Sequence, residues 1–234
     1  VLLLWRYGRF ARLKPLAQTL HLTELRAFFA VNGDIFIRTM ALLSIFALFN
    51  DFSARQGDVI LGVNVILLQL ISIQAYGVDG FAFAVESLAG RFFGARDKAG
   101  FTLAVKLCLR WGFGLSAVYA LAFWLFDTQL MRLFTDQPSI LYLYDAFYPL
   151  MLVYVFLAPF AFIWDGIMIG ITAGKIMRWT MLDVLFVVFI PALIFTDGKG
   201  GNYSLWSAMI LAVLARWLFM YVMGRLHIKN VQWD

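Results

Sequence analysis

The sequence predicts an all-α integral membrane protein, a bundle of six transmembrane helices. Three features carry that expectation: an apolar composition, six long hydrophobic runs, and basic residues confined to alternate connections. Of 234 residues, 63% are hydrophobic and 14% charged, and the mean hydropathy is +0.83. Soluble domains hold about 45–50% apolar and about 25% charged residues. A chain of this size has too little interior to hide the excess from water, so lipid must be the solvent for most of it. A water-soluble enzyme, a disordered tail and a disulfide scaffold are thereby excluded, and Cys108, the one cysteine, can form no internal disulfide. A net charge of +5 and a pI near 9.4 would suit nucleic acid in a soluble protein. In a membrane protein the same excess marks the cytoplasmic loops, and no nucleic-acid partner is expected.

Crossing roughly 30 Å of hydrocarbon takes about 20 helical residues. The runs 27–50, 59–85, 103–126, 141–171, 177–196 and 204–224 are long enough. The first ends at Asn50-Asp51 and the second begins after Asp58. Gly90 to Gly100 separates the second from the third, and Asp127 to Pro138 the third from the fourth. Gly174-Lys175 closes the fourth, and Asp197 to Gly201 divides the fifth from the sixth. An outer-membrane barrel would instead show alternating segments of about ten residues. Residues 227–234 form a short tail. Ahead of the bundle, Val1 to Trp5 has the character of the last turn of a preceding apolar helix. Residues 6–26 mix Arg and Lys with Leu, Phe and Ala, which suits an amphipathic connector on the inner membrane surface. The expectation is the C-terminal part of a longer membrane protein.

Orientation follows from charge. Fourteen Lys and Arg fall before the first span, in the second and fourth connections and in the tail, against three (Arg55, Arg132 and Lys199) in the opposite set. Both ends are therefore expected in the cytoplasm, with the protein in the cell's inner membrane.

Six of the 14 acids lie within apolar runs: Asp34, Asp79, Glu86, Asp145, Asp165 and Asp183. Only Arg38 and Arg216 accompany them with opposite charge. Each such group costs about 2.5–3.5 kcal/mol at a helix centre, so the excess acids are expected to hold protons, face water or meet a cation. Asp34 and Arg38 are spaced i,i+4 and are expected to pair, either as a structural lock or as a transport element. Asp79 has no basic neighbour in sequence, whereas Glu86 lies five residues from Arg91 near the interface. Asp145 and Asp183 suit the ends of their runs.

Asp165 is the most informative. It follows Pro149 and Pro159 and opens a run with Gly166, Gly170 and Gly174 at every fourth position. That spacing makes a bare stripe for close helix contact, and the prolines permit a bend. Two readings stand: a hinged helix carrying a titratable carboxyl, or a packing stripe beside a hydrogen-bonded one. Asn64, Gln69 and Gln74 fit a polar pathway or interhelical hydrogen bonds equally. His21 and His227 lie outside the runs, so no metal site, cofactor or enzymatic centre is expected.

Several blocks then stand together. Asn32-Gly-Asp-Ile-Phe-Ile-Arg-Thr39 opens the first span, and Ala75-Tyr-Gly-Val-Asp-Gly-Phe-Ala leads toward Gly90-Arg-Phe-Phe-Gly-Ala-Arg-Asp97. Trp164-Asp-Gly-Ile-Met-Ile-Gly-Ile-Thr172 precedes Met177-Arg178, and Leu205-Trp206 begins the last span. In this order they resemble the C-terminal lobe of the DinF-type branch of the multidrug and toxic compound extrusion (MATE) family. The resemblance implies one six-helix lobe of a twelve-helix transporter, whose partner is a missing N-terminal six-helix lobe. It implies alternating access to a central cavity and exchange of protons or sodium for an organic substrate. By position, Asp165 matches an acid that lines the C-lobe cavity in related transporters. Arg38 stands about where another branch places a glutamate, which favours protons over sodium.

The expected function is secondary active efflux of an amphipathic, cationic organic compound driven by protons, with sodium as the second choice. Asp165 and Asp79 are the candidates for protonation or cation contact, Asp34 with Arg38 a conformation-sensitive pair, and Glu86 a further cavity residue. A lipid-linked sugar flippase of the same superfamily and a non-transporting scaffold are the alternatives.

Overall fold

In the computed structural model, residues 22–196, 200–229 and Trp233 are described; the connector up to residue 21 and most of the final tail lie outside them. Nine α-helices are present among the described residues: α1 (Leu22–Arg55), α2 (Asp58–Gly94), α3 (Lys98–Leu125), α4 (Asp127–Phe134), α5 (Pro138–Leu143), α6 (Tyr148–Gly170), α7 (Gly174–Asp183), α8 (Ile190–Thr196) and α9 (Gly201–Lys229). α7 and α8 are joined by a π-helical turn, Val184–Phe189, into one rod. Six helices are long and apolar enough to cross a membrane: Phe28–Arg55, Asp58–Gly94, Lys98–Leu125, Tyr148–Gly170, Gly174–Phe195 and Gly201–Lys229.

The six-span bundle is thus present, with several shifts of boundary. α1 begins at Leu22, inside the stretch expected to be connector. α2 continues through Gly90 to Gly94 before a tight turn that reverses the chain. In that turn Arg96 takes a positive φ of 57°, and the Asp97 carboxylate accepts the Gly100 N–H at 2.8 Å, capping α3. The fourth run is not one rod from 141. It divides into α5, a 3₁₀ turn at Tyr144–Ala146, and α6. Pro149 stands in the first turn of α6, where its missing N–H costs nothing, so it starts a helix and is no hinge.

α6 is the axis of the bundle. It has the most buried span and packs on α2, α3 and α9, while α1 packs mainly on α7. Its glycines explain the closeness to α2. A Cβ on Gly166 would collide with the Ala82 carbonyl, and one on Gly170 with that of Glu86. Gly90 faces the Gly170 carbonyl in turn, where a Cβ would lie 2.8 Å away. Gly174 departs from this stripe: it packs on α1, where its Cβ would stand 3.1 Å from that of Asp34.

Pro159 lies inside α6 and is buried. A proline there leaves the carbonyl four residues earlier, Val155, without its helical N–H. Ser116 of α3 supplies the partner, donating to Val155 O at 2.6 Å, and Gln74 of α2 donates to Ser116 at 2.9 Å. A second buried network joins α1, α2 and α9: Asn64 donates to Ser53 and Asn202, both at 2.7 Å, and accepts from Trp206 at 2.9 Å. Asn64 and Gln74 are therefore interhelical pins, whereas Gln69 is exposed. The π-turn precedes Pro191, whose ring would strike the Val187 carbonyl in a straight α-helix.

Candidate functional site

Two hydrophobic cores stack along the bundle, one holding Met151 to Ala161 of α6 and Leu205 to Val213 of α9, the other Ile163 to Ile171 and Met220. The seam between them holds charge. Asp165 is 6% exposed and Arg216 4%. Nη2 of Arg38 on α1 and Nη2 of Arg216 on α9 both donate to Asp165 Oδ2. Asp79 on α2, half-buried, lies within coulombic reach of both guanidinium groups. Three helices thus meet in one ion-paired centre, and Asp79 on a fourth interacts with it through space rather than by a direct ion pair. By helical rise Arg216 is about 22 Å from Gly201 and about 20 Å from Lys229, in the middle of its span.

This placement corrects the expected pairing of Asp34 with Arg38. Asp34 accepts from Nη1 of Arg178 on α7, 144 residues away, and Arg38 turns instead to Asp165. The i,i+4 spacing permitted the local pair, but Gly174 brings α7 against Asp34 and delivers a partner from outside the helix. It also corrects the premise of unbalanced negative charge: at the seam, carboxylates and guanidinium groups are equal in number.

The remaining expected residues divide cleanly. Glu86 sits roughly 10 Å beyond Asp79 along α2, half-buried, and its backbone carbonyl is what meets α6. Asp145 and Asp183 are exposed. Pro159, Gly166 and Gly170 shape the helix that carries Asp165, while Gly174 positions Asp34. Arg216 is the functional candidate that sequence reasoning named only as a base among acids. Its signal was present, since a lone arginine in an otherwise apolar run requires a buried partner.

The cluster has unspent capacity. Among the described residues, Asp165 Oδ1 and the Nε atoms of Arg38 and Arg216 have no hydrogen-bond partner. A cavity of about 20 Å³ beside Arg216, bordered by Tyr154, Met181 and Met209, has room for about one water.

Fold and cluster together define a multi-pass membrane protein with ionisable groups gathered between its helices. The chain belongs to the MatE family, which matches residues 35–194. It is 29% identical over 217 residues to the DNA damage-inducible protein F of Escherichia coli (strain K12), covering 89% of this chain and 45% of that protein. The fold is shared with solved structures. One is a MATE in the bent conformation, with a TM-score of 0.78 at 17% identity, covering 88% of this chain and 46% of the other. Another is an inward-facing multidrug resistance MATE family transporter of the MOP superfamily, with a TM-score of 0.72 at 17% identity, covering 82% and 45%. The chain spans about half the length of the curated relative it matches.

Proposed function

We propose that the chain is one lobe of a secondary active exporter that exchanges protons for an amphipathic, cationic organic compound. The observation that carries this reading is the mid-span cluster of Asp165, Asp79, Arg38 and Arg216, held on four helices in a lobe of MatE fold. Its electrostatics supply a coupling rule. With both carboxyls ionised the cluster is neutral and tolerates a cation nearby. One bound proton leaves it positive and repels that cation, so proton and substrate exclude each other. Sodium is the second choice. The basic ends are assigned to the cytoplasm, and the cavity is completed by a second six-helix lobe.

The test is transport by the complete protein in proteoliposomes. An imposed proton gradient should drive ethidium movement and a sodium gradient should not, with Asp165→Asn, compared at equal amounts of folded protein below its melting temperature, reducing the rate to background. Wild-type rates in that variant would remove Asp165 from the mechanism, and sodium-driven transport would replace the coupling ion.

A further inference from the structure

Helices α3 and α9 both pack on α6 but hardly on each other, leaving a groove of about 420 Å³. That is within the range of about 300–1,000 Å³ usual for ligand pockets. Its floor is aromatic. Phe160 and Trp217 pack with ring centroids 4.9 Å apart, and Trp164 meets Tyr221 edge-on at 5.4 Å. Trp233 folds back on Phe93 and Phe101, at 5.7 and 5.5 Å, and closes the end. The rim is basic. Lys98 and Lys106 stand two turns apart on one face of α3 with Thr102 between them, and Arg225 lies over the Tyr221 ring at 5.1 Å. Among the described residues no acid lines this groove, and the nearest carboxylate, Asp97, caps α3 at the Lys98 end of the rim.

We propose that this groove binds one anionic phospholipid, with an acyl chain on the aromatic floor and the phosphate among Lys98, Lys106 and Arg225. The charge decides the class of ligand. An aromatic floor alone would suit flat cations, but three exposed cations against the one carboxylate of Asp97 repel them. An oily chain carrying a phosphate matches both parts, and in a membrane that molecule is a phospholipid. Lys98 and Arg225 also border a second hollow of about 510 Å³ that continues the groove outward along α9 to Lys229, giving a headgroup space beyond the aromatic floor. The inference is independent of the transport reading, because no residue of the Asp165 cluster takes part.

Native mass spectrometry of the complete protein, delipidated and titrated with phosphatidylglycerol or with phosphatidylcholine of the same acyl chains, tests it. Phosphatidylglycerol should be retained as one tight adduct and phosphatidylcholine should not. The triple variant K98Q/K106Q/R225Q should bind phosphatidylglycerol at least about tenfold more weakly. A control variant R91Q/K175Q, with two basic residues removed from the same end but outside the groove, should bind as wild type does. Melting temperature in detergent guards against misfolding: without lipid the triple variant should match wild type, and only wild type should gain stability from phosphatidylglycerol. Equal retention of the two lipids, equal losses in both variants, or no adduct because another segment fills the groove would each overturn the proposal.

Discussion

Trp164 and Asp165 are consecutive on α6 and equally buried, each 6% exposed, yet they face two different chemistries. Trp164 looks into the α3–α9 groove, where aromatic rings form the interior and charges stand at the rim. Asp165 looks toward α1 and α9, where its carboxylate meets two guanidinium groups in the interior. The difference is one of depth. A charge at the rim reaches headgroups and water by extending its stem and needs no partner. At mid-span it has no such exit and must be matched by opposite charge, which is why the seam gathers two carboxylates and two guanidinium groups.

The largest effect should come from unmatching the deep side. Asp165→Asn leaves two arginines facing each other without their shared carboxylate and should cost about 3–5 kcal/mol, read as a large drop in melting temperature in detergent. Adding Arg216→Met should recover part of that loss. A double variant no more stable than the single would show that Arg216 does not depend on Asp165. Between the two faces lies the chain from Gln74 through Ser116 to the Val155 carbonyl. Ser116→Ala should cost about 1–3 kcal/mol by leaving that carbonyl unpaired, and clearly less in a Pro159→Ala background, where the helix supplies its own N–H. Equal costs in both backgrounds would detach Ser116 from the proline. On the rim, Lys106→Gln should change stability by no more than about 0.5 kcal/mol in detergent, and a larger change would mean that this lysine is not simply extended toward the surface.

The same contrast explains what could be read in advance. Composition and run length sufficed for six spans, because burying so many apolar residues has one solution in lipid. Asp165 and the spacing of Gly166 and Gly170 were visible for a similar reason, each violating or satisfying a rule within a single helix. Partnerships across helices were not visible. Asp34 had an adequate local partner in Arg38, and nothing in one dimension reveals that Arg178 lies closer. Nor does sequence order disclose that Ser116 fills the carbonyl freed by Pro159, or that Gly90 continues a helix because Gly170 rests on it. Pro149 was misplaced as a hinge because the prolines that start and bend helices look alike until the helix start is known.

The proposed exclusion of substrate by proton at the Asp165 cluster is open to direct measurement, by recording protons released when ethidium is added to the complete protein in weakly buffered detergent solution. The account predicts release on binding in wild type and none in Asp165→Asn combined with Asp79→Asn. Tight ethidium binding by wild type with no release, or undiminished release from the double variant, would contradict it.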